Sequence, residues 1–460
     1  MGNLKKNFVY AFGAQGLQLL QSVLWSLLIP KLLGVEEFGY WQLFIFYTQY
    51  GGFIHFGLID GIYLREGGKE YAKLDFPFLG YQLRMFMTWQ LLALLPFIYI
   101  GIINDTPART YVIIASCLFV FLSNVSGYLM YILQAVNEIK AVALGRVVMT
   151  IAFIICTIVL LGFRVTHFEP YIVGYILSNF LCELYYIIKS KDIFKSLFTP
   201  SLPWYFRGML DNMKLGIVLL LANICGMLIL GYGRFLVDHA WGIKTFSIVS
   251  FAFMFVNFFM TFVMQASLVL FPELRRWSKD KVNTFYMEKR RILSLYSPLV
   301  LLLYMPIYYF VQFWLPQYLE SVKYLLFLMP LCIFDTKMNL FCNTLFKVFS
   351  HVRQLLFCNI VALACSICLI SLSIYWIVSI KAVVISMLLA IAVRSIVAEV
   401  LLAKDLGSTD VWKCIVPELL LIALFILLNT FLSIWLAFVA YSIIILFRFL
   451  LDKKNKLKSV

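Results

Sequence analysis

The chain has 460 residues, 63% of them hydrophobic and 13% charged, with a net charge of +15. Charged residues make up about a quarter of an ordinary soluble domain, and no soluble fold could bury this much apolar surface, so the chain reads as an all-α polytopic membrane protein. A basic excess in a soluble protein would point to nucleic acid; here the cations gather at helix ends, where they orient spans in a bilayer, and nucleic acid is excluded as a partner.

The N-terminal "MGNLKKNF" leads into an apolar run too long for a signal-peptide core, with no small-residue cleavage site after it. It is read as a retained first span. A span needs about 20 apolar residues. That measure predicts about fourteen transmembrane helices, near 8–33, 38–64, 79–103, 109–133, 141–163, 168–189, 214–236, 243–271, 292–314, 322–348, 354–378, 381–403, 412–428 and 431–450. The last two form a helical hairpin joined at about Asn429 and Thr430. The expected organisation is a six-helix lobe over 1–189, a cytoplasmic connection over 190–213, a second six-helix lobe over 214–404, and the hairpin with a basic tail over 405–460.

Charge sets the orientation. Of 38 Lys and Arg, seven lie at outer ends (Lys31, Arg109, Arg164, Arg234, Lys244, Lys323, Lys381), Lys337 lies in mid-membrane, and the other 30 lie at cytoplasmic ends. The "RRWSKDK…EKRR" stretch at 275–291 is the densest group and reads as a long cytoplasmic connection. Both termini are expected in the cytoplasm. Trp41, Trp241, Trp314, Trp376 and Trp435 fall at outer ends, and Trp204, Trp277 and Trp412 at inner ends, as interfacial belts would. Outer loops are short. The ten cysteines sit in or beside apolar runs, and even the "CSIC" pair, Cys365 and Cys368, lies mid-span as packing rather than redox chemistry. No Walker motif, zinc spacing or nucleophile elbow occurs, so neither an enzyme nor a cofactor is expected.

Cations inside spans are costly and face an interior or a cavity. Lys337, in "MPLCIFDTKMNLFCNTLFK", either lines a cavity for an anionic cargo or ties to a carboxylate of another helix. Asp335 is two residues away, on another face. Aligning "SNVSGYLMYILQAVN" with "DTKMNLFCNTLFKVF" sets Asn124 opposite Lys337 as a polar site in the other lobe. Arg146 and Arg84 lie a turn or two inside the fifth and third spans, where they either meet an anion or snorkel to the interface. Arg65 ends the second span beside Glu66, as an interface anchor or a substrate contact. Arg394, five residues before Glu399, suits an ion pair or a functional role equally. The carboxylates that could couple transport to an ion are Asp60, Glu183, Asp335, Glu399 and Glu418, with proton coupling, sodium coupling and neither all open.

An internal repeat sets "PKLLGVEEFGYWQLF", from Pro30, against "GRFLVDHAWGIKTFS", from Gly233. Lys31 then faces Arg234 and Gly39 faces Gly242, each pair in the outer turn of a six-span unit. Lys31 and Arg234 become either paired cations at the outer mouth or helix-end caps, with Asp238 and His239 solvated in the turn. Repeats six spans apart are parallel, related by an axis along the membrane normal, and place cargo between lobes near the midplane.

"IPKLLGVEEFGYWQLF", "FGLIDGIYLREGG", "GYGRFLVDHAWGIKTFSIVSF" and "VLFPELRRW" resemble the polysaccharide-transporter branch of the MOP exporter superfamily, in particular Wzx-type O-antigen or capsule repeat-unit flippases. The resemblance implies alternating access in a bacterial inner membrane. It implies a cargo of undecaprenyl-diphosphate-linked oligosaccharide, moved from inner to outer leaflet. Its partners would be membrane lipids and the polysaccharide polymerase and chain-length machinery. The terminal hairpin departs from a twelve-span pattern and is similar to that of lipid II flippases, which remain an alternative. A multidrug exporter would favour acidic cavity residues. A membrane polymerase or ligase would favour a sizeable outer loop, which the chain lacks.

Overall fold

A computed structural model of the chain describes residues 16, 21–22, 25, 27–103, 106–200, 202–275, 277–349, 351–407 and 411–458. Most of the predicted first span, with Lys5 and Lys6, lies outside them. The described residues form helices and turns, with no strand among them. Eleven helical runs are long and apolar enough to cross a membrane, and one of them, Pro203–Met264, has the length of two spans. The chain is thus an all-α polytopic membrane protein. It divides into two compact units, Met1–Ile224 and Cys225–Val460.

The first unit holds α1 (Ile29–Gly51), α2 (Leu58–Glu66), α3 (Phe76–Ile102), α4 (Pro107–Ala135), α5 (Ile139–Gly162), α6 (Glu169–Lys189), the short α7 (Lys191–Lys195) and the first part of α8 (Pro203–Leu274). Its core packs Leu79, Leu83 and Phe86 of α3 against Tyr128, Leu129 and Ile132 of α4 and Tyr186 of α6. Buried hydroxyls need partners, and these find them on backbone. Tyr128 donates to the Leu79 carbonyl at 2.8 Å and Tyr186 to the Val142 carbonyl at 2.9 Å. A second cluster stacks Trp41 on Phe153 and sets Trp25 edge-on to Trp41, Phe153 and Tyr175. Trp41 is therefore buried, 1% exposed, rather than an interfacial anchor. Besides Trp25 and Phe44, its aromatic neighbours are Phe153 of α5 and Tyr175 of α6, which no local pattern reveals.

The second unit holds the rest of α8, then α9 (Lys279–Tyr296), α10 (Tyr304–Trp314), α11 (Ser321–Leu328), α12 (Leu331–Lys337), α13 (Asn343–Val348), α14 (Val352–Leu372), α15 (Ile380–Asp405), α16 (Trp412–Phe431) and α17 (Ile434–Lys458). A π-helical segment, Met338–Cys342, joins α12 to α13. Such segments occur often at functional sites.

Three expectations are corrected. The outer turns of the repeat are not loops. α1 and α8 each run through with one non-helical residue, Gly34 (φ 71°, ψ 174°) and Gly242 (φ 78°, ψ −179°). Matching these breaks sets Gly34 opposite Gly242, five residues from the register read in the sequence. Lys31 then falls opposite His239, and Arg234 opposite Ser26. The basic stretch 275–291 is largely helix: α9 begins at Lys279, so Arg290 is carried inward and is 2% exposed. The hairpin turns at 432–433 rather than at Asn429 and Thr430. Both of those side chains bond back to the preceding turn, on the Phe425 and Ile426 carbonyls, and let the helix continue.

The two breaks use a backbone region open in practice only to glycine. Nothing lies within 4 Å of a Cβ built at either. Gly34→Ala and Gly242→Ala are therefore expected to cost about 1–3 kcal/mol each through backbone strain alone. Gly52 has φ −59° and equal space, so Gly52→Ala is the control, with stability unchanged or slightly raised. Thermal denaturation of the three purified variants in detergent checks this; equal midpoints would refute it.

Candidate functional site

The first unit holds a partly open cavity of about 450 Å³. Its wall includes Ser123 and Ser126 of α4, Arg146 and Thr150 of α5, Tyr175 and Asn179 of α6, and Trp25. Arg146 is half-buried, and its guanidinium touches only the Met130 sulfur, at 3.7 Å. Thioether sulfur is a weak acceptor, so the five N–H donors of Arg146 are almost unused. Among the described residues no carboxylate lines the cavity, and none pairs with Arg146. The Asn179 side chain is buried with its Nδ2 donor unpartnered, as is the indole Nε1 of Trp25. Glu183 lies one turn beyond Asn179 on α6, buried, with Oε2 unpartnered.

In the second unit four charges close on one another. Arg290 of α9 donates to Glu399 Oε2 of α15 (2.8 Å from Nη2) and to Glu418 Oε1 of α16 (2.6 Å from Nη1). Lys337, at the end of α12, places Nζ 2.8 Å from Glu399 Oε1 and 2.7 Å from Glu418 Oε2. Side-chain exposure is 3% for Arg290, 1% for Lys337 and 0% for both glutamates. Two cations and two anions sum to zero; Glu418 accepts from both cations, and Glu399 accepts from Arg290 and lies within ion-pair distance of Lys337. That mutual satisfaction is what lets four ionised groups sit in an apolar interior. Lys337 is accordingly held in an interhelical ion cluster, as the tie reading expects, and the same pairing occupies Glu399.

The other sequence candidates fall outside both clusters. Arg394 donates to Asn359 Oδ1 at 2.8 Å and lies 3.7 Å from Asp335 Oδ1, so its partner is Asp335 and not Glu399. Asn124 is buried and donates to the Gly51 carbonyl at the end of α1, so its amide serves backbone rather than a cargo site. Arg65 is exposed, bonded to Asn212 Oδ1 at 3.2 Å and lying over the Phe78 ring. Arg84 lies over Tyr81 and away from the cavity wall. Asp60 faces His55 at 3.9 Å. Arg234 donates to Ser250 and lies between the Phe246 and Phe253 rings. Lys31 is exposed, and Asp238, expected in a solvated turn, is 5% exposed inside α8.

Of the sequence candidates, then, the structure places Arg146 on a cavity. Arg290 was missed because it stood in a basic run that read as a loop. A signal was available: Val282, Tyr286, Arg290 and Ser294 recur every four residues and form the buried face of α9. Asn179, Ser123 and Trp25 carry no comparable signal, because polar and aromatic residues in spans are common and only packing brings these three together.

No family model and no curated protein sequence matches the chain. Solved structures do resemble it. A multidrug resistance MATE family transporter of the MOP superfamily, in an inward-facing conformation, aligns with a TM-score of 0.65 at 13% identity, over 85% of this chain and 94% of that one. The lipid II flippase MurJ, inward closed, aligns with a TM-score of 0.58 at 13% identity, over 98% and 99%. A MOP superfamily transporter from Pyrococcus furiosus Vc1 gives 0.53 at 13% identity, over 88% and 97%. The chain is a multi-pass membrane protein with the fold of the MOP-superfamily transporters.

Proposed function

We propose that the chain is a secondary transporter, not an enzyme. In this reading it flips undecaprenyl-diphosphate-linked oligosaccharide, an O-antigen or capsule repeat unit, to the outer leaflet of a bacterial inner membrane. The observation that carries the reading is Arg146: a half-buried cation, with no carboxylate partner among the described residues, on the wall of a partly open cavity. Cations within spans face an interior or a cavity, and an anionic cargo would supply the missing charge. A cationic drug would meet like charge there, which disfavours multidrug export. Coupling to a proton or sodium gradient would use Glu183, the candidate carboxylate that makes no ion pair among the described residues. Asp60, Asp335 and Glu399 face His55, Arg394 and the Arg290–Lys337 pair.

A lipid II-type flippase is the second reading, favoured by the alignment over nearly the whole length of both chains, terminal hairpin included. One experiment addresses both. In a deletion strain, radiolabelled lipid-linked intermediates are tested for attack by an enzyme added outside spheroplasts. Complete repeat units that accumulate and stay protected are the expected result. Protected lipid-linked peptidoglycan precursors would favour the second reading instead. Intermediates that accumulate but are open to attack would overturn transport and bring a polymerase or ligase forward.

A further inference from the structure

We propose that the cavity of the first unit is a recognition site for a sugar carrying one carboxylate. The carboxylate sits on Arg146 and the ring rests against Trp25 and Tyr175. The transport reading enters only as the source of such a sugar, within the cargo.

Volume comes first. About 450 Å³ lies in the range of small-molecule sites, roughly 300–1,000 Å³. Charge comes next. Among the described residues, Arg146 is the one Lys or Arg in the wall, and no Asp or Glu lines it. Glu183 forms no ion pair with it. A guanidinium binds a carboxylate through two parallel N–H···O bonds, and one carboxylate cancels one cation. A diphosphate carries more negative charge than one guanidinium cancels, and the described wall offers no second Lys or Arg for the excess.

The remaining wall suits a hydroxylated ring. Ser123 and Thr150 bring hydroxyls, and Asn179 an amide whose Nδ2 lacks a partner in the unliganded protein. The indole Nε1 of Trp25 is unpartnered as well. Buried donors without acceptors are costly, and ring oxygens would relieve them. Trp25 and Tyr175 meet edge to face, with centroids 5.2 Å apart, and make a rigid apolar corner. The C–H face of a pyranose packs on such rings, which bring a large apolar surface together with a polar handle.

The test is competition binding to the purified full-length protein in detergent, with radiolabelled glucuronate as tracer. Glucuronate is expected to compete at a concentration at least about tenfold below that of glucose, the ratio one charge-assisted pair supplies. Arg146→Ala should remove that preference. Arg146→Gln, which keeps N–H donors without the charge, serves if the alanine variant folds poorly. Trp25→Leu should weaken glucose and glucuronate alike. Equal competition by glucose and glucuronate, or no binding, would overturn the proposal. Tightest competition by pyrophosphate would also overturn it and make the cavity a diphosphate site. Glucose 1-phosphate tighter than glucuronate would replace the carboxylate with a sugar phosphate. Because this assay measures binding alone, it can succeed where the deletion strain refutes transport, and can fail where transport stands.

Discussion

Arg290→Ala is expected to lose about 3–5 kcal/mol of stability, the cost of stripping one partner from a buried ion network. Removal leaves Glu399 and Glu418 with Lys337 alone, so the apolar interior of the second unit holds a net negative charge. Lys337→Ala carries the same charge cost. Both are read as the midpoint of thermal denaturation in detergent and as the yield of monodisperse protein. The pairing makes a sharper claim through double substitution. Arg290→Met with Glu418→Gln removes one cation and one anion and leaves Lys337 on Glu399 at 2.8 Å. The two changes should therefore cost less together than the sum of each alone. Simple additivity would mean that the four charges do not act as a unit. A folded Lys337→Ala protein with normal thermal behaviour and no transport would return Lys337 to the cargo path. The network also ties α16 to α9, α12 and α15, and Arg291 with Asp452 (2.6 Å) and Arg448 with Ser294 (2.9 Å) tie α17 to α9. The terminal hairpin is thus fastened by charge as well as by apolar contact.

Arg146→Ala is expected to do the reverse: little change in stability and a large loss of transport. The guanidinium makes no ion pair among the described residues, and its closest polar contact is a sulfur at 3.7 Å. Its removal leaves no buried partner unsatisfied. A charged hydrogen bond to cargo is worth about 1.5–3 kcal/mol, which corresponds to roughly a ten- to hundredfold drop in transport rate. Arg146→Lys keeps the charge but loses bidentate geometry and should fall between. The measurement is complementation of the deletion strain by each variant at matched membrane abundance. Full complementation by the alanine variant would remove Arg146 from the cargo path.

The opposite expectations for Arg290 and Arg146 were not readable from sequence. Both are arginines near the end of an apolar run, and only their surroundings separate them. What the sequence did determine follows from composition and period. A backbone in lipid is satisfied only in helices or a closed barrel, and with 63% hydrophobic residues in continuous runs of about 20 the chain takes the helical solution. The helical class, most span positions and the hairpin follow from that single constraint. Helix continuity was less legible. Gly34 and Gly242 each supply one positive-φ residue that lets a helix break and resume without a loop, and glycine alone does not announce which of those it will do. Pairing belongs wholly to the tertiary structure. Glu399 and Glu418 reach Arg290 and Lys337 across 62 to 128 positions of chain. Charge interacts by distance in space, and only the packing of α9, α12, α15 and α16 sets that distance. In the first unit the packing of α4, α5 and α6 likewise leaves Arg146 beside a cavity instead of against a carboxylate.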